Sequence, residues 1–202
     1  IFKFFFDEVT IPKGADKVIF FLAPLLSFIL ALVAWAVIPV GNRVVLSDIN
    51  LGIIYIFAIL CLTGYGAILG GWASNSNSAR LGGLRTAAQT ICYDASIGLI
   101  IVSVLISTGS LNLSDIVGAQ AGSFGLLNWY WLPHFPIFLI LFFSILAKTN
   151  RAPSYHSKTE SNLLLGYQTE YSATLYLLFS IGELIIIMVL CTIITILFLG
   201  GW

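Results

Sequence analysis

Charge is scarce in this chain. Only 9% of its 202 residues are Asp, Glu, Lys or Arg, against about 25% in soluble globular domains. The hydrophobic share is 59%, and the mean hydropathy is +1.01. A fold of this length cannot hide so much apolar surface from water, so its solvent is lipid. Nine basic and nine acidic residues cancel to a formal net charge of zero, which removes any bulk electrostatic case for nucleic acid. Cysteine is also sparse. Cys61, Cys92 and Cys191 lie in separate apolar runs with no CxxC spacing. That scatter argues against a zinc site or a disulfide framework and reads as buried structural thiols. His134 and His156 flank opposite ends of one apolar segment, so they would not share a depth as paired haem ligands. No metal site is expected.

Long apolar runs are what the chain has instead. A spanning helix needs about 20 apolar residues to cross a hydrocarbon core of roughly 30 Å. Five stretches qualify, at residues 18–40, 51–72, 84–107, 126–148 and 170–200. Each must be helical, because lipid offers no partner to backbone amides. The fold class this implies is all-α, a polytopic transmembrane helix bundle of about five spans. Residues 1–17 mix Lys3, Lys13 and Lys17 with Asp7, Glu8 and Asp16 and read as an extramembrane or interfacial lead-in. The last stretch would make a helix of roughly 45 Å, so it is expected to tilt or to bend, with Gly182 as the candidate bend.

Basic residues are unevenly placed. Lys3, Lys13 and Lys17 precede the first span, Arg80 and Arg85 surround the start of the third, and Lys148, Arg151 and Lys158 lie between the fourth and fifth. With five spans all of these fall on one side, and Arg43 alone on the other. The positive-inside rule makes that side the matrix or cytoplasmic face. The loops at about 73–83 and 149–169 then share it.

Ionisable groups at membrane depth ask for a reason. Asp94 lies within the third span, Glu183 lies in the middle of the last, and Glu170 opens that last span. Burial would disfavour the charged form of Asp94 and Glu183, the property that suits a carboxyl to proton exchange. The competing reading is a protonated acid hydrogen-bonded to a helix neighbour, with no transport role.

Two polar segments stand out. Gly71-Trp72-Ala73-Ser74-Asn75-Ser76 and the following residues to Arg85 read as a polar turn, with Trp72 as interface anchor and small polar side chains bonding helix-end backbone. The loop from Lys148 to Tyr171 is longer than a connection requires, which favours contact with another protein or a ligand; the alternative is a plain surface loop.

These segments resemble the hallmarks of subunit 1 of respiratory complex I, the NADH–ubiquinone oxidoreductase family. The first resembles that family's GWASNS…LGALR…AQT…YE pattern through Gly71–Ser76, Leu81–Arg85, Ala88-Gln89-Thr90 and Tyr93-Asp94. The second resembles its ETNRAP…E.E…EY pattern through Thr149–Pro153, Glu160-Ser161, Leu163, Gly166 and Glu170-Tyr171. Ser110–Ser114 also resembles a short family segment, and the likeness covers essentially the whole chain. There are departures. Lys148 stands where the family usually has Glu, Ser154-Tyr155 replace Phe-Asp, Lys158 and Asn162 replace Glu, and Asp94 is a shortened Glu.

The resemblance implies a membrane-arm subunit with no catalytic residue of its own. It implies a ubiquinone chamber to which Trp72, Asn75, Arg85, Gln89, Tyr93, Arg151 and Pro153 contribute. It implies a carboxylate path through Asp94, Glu183, Glu170 and Glu160 that couples quinone reduction to proton translocation. No cysteine cluster, Rossmann glycine pattern or flavin motif occurs, so FMN and iron–sulfur clusters would sit in partner subunits. Gly64, Gly66, Ala67, Gly70 and Gly71 would give close helix packing or room for an isoprenoid tail. The implied partners are other membrane-arm and quinone-module subunits, membrane lipids, and a companion chain supplying the family's remaining helices. The implied location is the mitochondrial inner membrane. The alternative is a structural or proton-channel-like membrane subunit without quinone contact.

Overall fold

The computed structural model describes residues 12, 14–41, 44–122, 128–149, 167–168 and 170–201. Six α-helices dominate the described residues: α1 (Lys17–Ala34, continued by a 3-10 turn at Trp35–Val37), α2 (Gly52–Ala73), α3 (Asn77–Thr108), α4 (Leu113–Gln120), α5 (Phe135–Lys148) and α6 (Ala173–Phe198). Among the described residues the only β pairing is an isolated bridge between Gly41 and Val44. The protein is therefore an all-helical bundle. Four helices are long and apolar enough to cross a membrane, and α5 is a shorter apolar helix. Many outward faces are apolar: Leu99 is 75% exposed and Ile106 79%. In water that surface would drive aggregation; against lipid tails it is simply solvated.

Several boundaries differ from the sequence expectation. Helix α3 starts at Asn77, so the expected 73–83 loop shrinks to a turn at residues 74–76. The cause is local: the Ser76 hydroxyl accepts from the Ala79 amide at 3.2 Å and caps the helix, which overrides the two glycines at 82–83. At its other end the Gly109 amide donates to Leu105 O at 2.8 Å with φ +70°, a left-handed stop that glycine permits. The expected 126–148 span is a helix only from Phe135. Turns fill residues 130–134, because Pro133 lacks an amide donor and disfavours helix in the residue before it, while Pro136 sits in the first turn of α5, where its missing amide costs nothing. Fourteen residues make α5, about 21 Å long, too short to cross alone. In α6, Gly182 is not a break: the helix runs on from Ala173 to Phe198. A Cβ there would lie 3.5 Å from Phe28 Cα, so the glycine lets α6 lie close against α1.

The bundle has two distinct ends. At one, the Asp16 amide donates to Ala73 O at 3.2 Å, joining residues 14–16 to the 74–76 turn. There Phe20, Ala23, Ala67, Ala73, Tyr167, Tyr171, Leu175 and Phe179 form a small core. At the other, α4 and residues 129–132 close over the end of α6: Trp131 N donates to Phe198 O at 3.1 Å. Buried Gln120 donates to Ile196 O at 2.8 Å and accepts from Gly200 N at 3.0 Å. A larger apolar core runs from there through the bundle, with Ile56, Leu60, Ile97, Val104, Leu141, Val189 and Leu197 among its members.

Candidate functional site

The α2–α3 hairpin sets the site. Gly71 and Gly83 bring the two helices almost backbone to backbone: a Cβ on Gly71 would lie 2.6 Å from Ala79 O, and one on Gly83 2.6 Å from Ala67 O. Ser74 Oγ donates to Gly71 O at 2.9 Å, and Asn75 takes the left-handed conformation that the turn needs, with φ +53°. The small-residue expectation for Gly66 and Gly70 also holds as packing. A Cβ on Gly66 would meet Ser27 Cβ at 3.0 Å, and one on Gly70 would meet Phe179 Cζ at 3.2 Å.

Pairing along the hairpin fixes the depth of Asp94. Gly64 lies beside Thr90, and Gly98 beside Phe57, so Asp94 is level with Cys61, near the middle of α2. There it is buried and forms an ion pair with Lys148 of α5, both side chains being at most 5% exposed. Cys61 lies within electrostatic reach of both. Asp94 Oδ2 has no hydrogen-bond partner among the described residues. One turn away, Gln89 Nε2 donates to Ala147 O at 3.2 Å. Helix α5 thus ends at mid-depth of the bundle. The Lys148 side chain is enclosed there against Asp94.

Glu183 sits in a different setting. It lies on an exposed face of α6. It accepts from Gln168 Nε2 at 2.6 Å and from the Tyr167 hydroxyl at 3.2 Å. Burial, reinforced by the neighbouring Glu183 charge, holds the Tyr167 hydroxyl well above its usual range, so it stays a protonated donor. Burial does the same for Tyr171, whose hydroxyl donates to Gly70 O at 3.3 Å while its ring stacks on Phe20 with centroids 4.1 Å apart. Phe179 packs edge-on against both tyrosines. These aromatics fix the chain as it enters α6 and aim Tyr167 and Gln168 at Glu183.

The remaining expected residues scatter. Trp72 is 65% exposed and lines an open cleft of about 430 Å³ with Ile68, Asn77, Arg80, Leu81 and Leu84. Arg80 bonds the Asn77 side chain. Asn75 and Arg85 are exposed, and Tyr93 and Glu170 are half-buried. Arg151, Pro153 and Glu160 lie outside the described residues. Cys92 and Cys191 are exposed rather than buried; on outward helix faces lipid, not a core, is their apolar surrounding. No cluster able to hold a metal occurs among the described residues. Sequence reasoning missed Lys148, Tyr167, Gln168 and Gln120. Only Lys148 carried a signal, as a cation closing an apolar run.

A model of the NADH dehydrogenase family matches residues 1–202. An NADH-quinone oxidoreductase subunit from Ruegeria sp. (strain TM1040) is 56% identical over 200 residues, which cover 99% of this chain and 58% of that protein. The corresponding NADH-quinone oxidoreductase protein of Cereibacter sphaeroides is also 56% identical, with 99% of this chain and 59% of its own length covered. That of Rhodobacter capsulatus is 54% identical, with 99% and 58% covered. The chain thus spans a little under three-fifths of the length of these bacterial relatives. With the family matched from end to end and several apolar helices of spanning length, this multi-pass membrane protein belongs to the NADH dehydrogenase family, the family of complex I subunit 1 that its motifs resemble.

Proposed function

We propose that this chain serves as a membrane-arm subunit of a proton-translocating NADH:ubiquinone oxidoreductase. In this reading it forms part of the ubiquinone chamber and of a carboxylate path that links quinone reduction to proton movement. The observation that carries the reading is that both intramembrane acids are held by polar partners at related depths. Gly182, next to Glu183, packs on Phe28, and Gly66 packs on Ser27, so Glu183 is level with Gly66 of α2 and Asp94 with Cys61. Five residues of helix separate those levels by about 8 Å. Two carboxyls inside an apolar bundle at related depths support a relay reading. Glu170 and Glu160 would extend the path, and Trp72, Asn75, Arg85, Gln89, Tyr93, Arg151 and Pro153 would face the quinone. FMN and iron–sulfur clusters belong to the partner subunits in this scheme. Its membrane is an energy-conserving one, with the mitochondrial inner membrane as the narrower reading.

One observation favours a second reading. The closed Asp94–Lys148 pair is also what a purely structural staple between α3 and α5 would look like. The two readings separate on the native assembly. A quinone-chamber protein copurifies with the quinone-reductase module, and Arg151→Ala lowers activity or inhibitor affinity. If Arg151→Ala leaves activity, inhibitor affinity and assembly unchanged, the chamber role for that loop is wrong.

A further inference from the structure

We propose that Lys148 is a positioning residue for Asp94, holding Oδ1 in a buried neutral pair so that Oδ2 is the oxygen through which Asp94 exchanges a proton. The proposal rests on the reading that Asp94 belongs to the proton path. Its own grounds are geometric. Lys148 ends α5 at the level of Asp94, and its ammonium group contacts Oδ1 and not Oδ2. Both side chains are almost wholly enclosed, so neither charge is stable there without the other. The Gln89 amide holds Ala147 O at 3.2 Å, fixing the last turn of α5 against α3 beside the pair. Buried Oδ2 keeps its acceptor capacity, with no partner among the described residues.

The step this allows is simple. Once a water is admitted to Oδ2, which is closed to solvent in this arrangement, the proton it carries forms an O–H bond there while its bond to the water oxygen breaks. The carboxyl is then neutral beside an ammonium ion that has lost its counter-charge. That excess positive charge favours release of the proton, and release restores the neutral pair. Lys148 keeps its own protons throughout. Its part is to make the protonated state of Asp94 short-lived and to fix which oxygen receives the proton.

The test uses the assembled membrane complex carrying Lys148→Met, Lys148→Arg, Asp94→Asn and Asp94→Asn/Lys148→Met. Coupled proton translocation, native-gel assembly and infrared difference spectra are read on each. Lys148→Met should lower coupled turnover about a hundredfold, the lower end of a lost acid–base contribution. It should also bring in the carbonyl band of a protonated carboxyl. That band should vanish in the double variant, and Lys148→Arg should recover much of the activity. If Lys148→Met fails to assemble, restored assembly in the double variant supports the pair, because the isolated carboxylate was then the defect; failure of both variants overturns it. Normal coupling without a new carboxyl band in Lys148→Met also overturns it. Normal pumping in Asp94→Asn alone would remove Asp94 from the path and with it the relay step; the carboxyl band in Lys148→Met would still report whether the ion pair itself exists.

Discussion

Asp94 and Glu183 carry the same functional group at related depths, yet their surroundings differ in kind. Asp94 is buried against a lysine from another helix. Glu183, on an exposed face of α6, accepts from a tyrosine and a glutamine that carry no charge. A carboxylate in an ion pair cannot take up a proton without stranding its partner's charge. The difference teaches that the two acids are not interchangeable: Asp94 is tied to a cation on another helix, and Glu183 to the segment that leads into α6.

The contrast can be broken most severely at Lys148. Lys148→Met leaves Asp94 charged and enclosed, or protonated without its helix partner. Removing one member of a buried pair costs about 3–5 kcal/mol. Thermal inactivation of the detergent-extracted complex should therefore come at markedly lower temperature, with Asp94→Asn/Lys148→Met less affected. A smaller effect is expected from Gly83→Ala. The added Cβ would fall 2.6 Å from Ala67 O, and separating the backbones costs about 1–3 kcal/mol. Because Asp94 rides on α3, coupling through Asp94 should suffer while the Tyr167–Glu183 contact survives. Cross-linking between cysteines placed on α2 and α3 would report the separation.

The Glu183 side is more tolerant. Tyr167→Phe removes two hydrogen bonds, one donated to Glu183 and one accepted from Gln168, and keeps the ring packed on Phe179, a loss of about 1–3 kcal/mol. It should shift the pH dependence of turnover more than the melting temperature. An unchanged pH profile in this variant would show that the tyrosine does not tune Glu183.

Hydropathy made the helical bundle legible because lipid forbids almost every alternative. It failed at α5, where Trp129, Trp131 and Leu132 look like part of a span and lie in a bend and turns. Pro133 holds off the helix, which starts with Pro136 in its first turn. It failed again at residues 77–83, where glycines suggested a turn and a serine cap decided for helix. Of the candidate site, Asp94 and Glu183 were legible as acids in apolar runs. Their partners were not. Lys148 lies 54 residues from Asp94 in sequence, and a cation at the end of an apolar run ordinarily marks the interface. Only the level at which α5 stops shows that it does not. Gln120 is the same lesson at the opposite end: nothing local announces an amide that closes the last turn of α6.

The central claim is that these two acids carry protons and do not merely hold helices together. It is tested most directly by measuring protons translocated per quinone reduced in complexes assembled with Glu183→Gln and with Asp94→Asn. Both substitutions keep side-chain shape and remove the exchangeable carboxyl proton. The account predicts assembly near that of the unaltered complex with a clear fall in translocation for each. Undiminished translocation in either variant would contradict a required role for that residue, and in both would leave the carboxylate path without support.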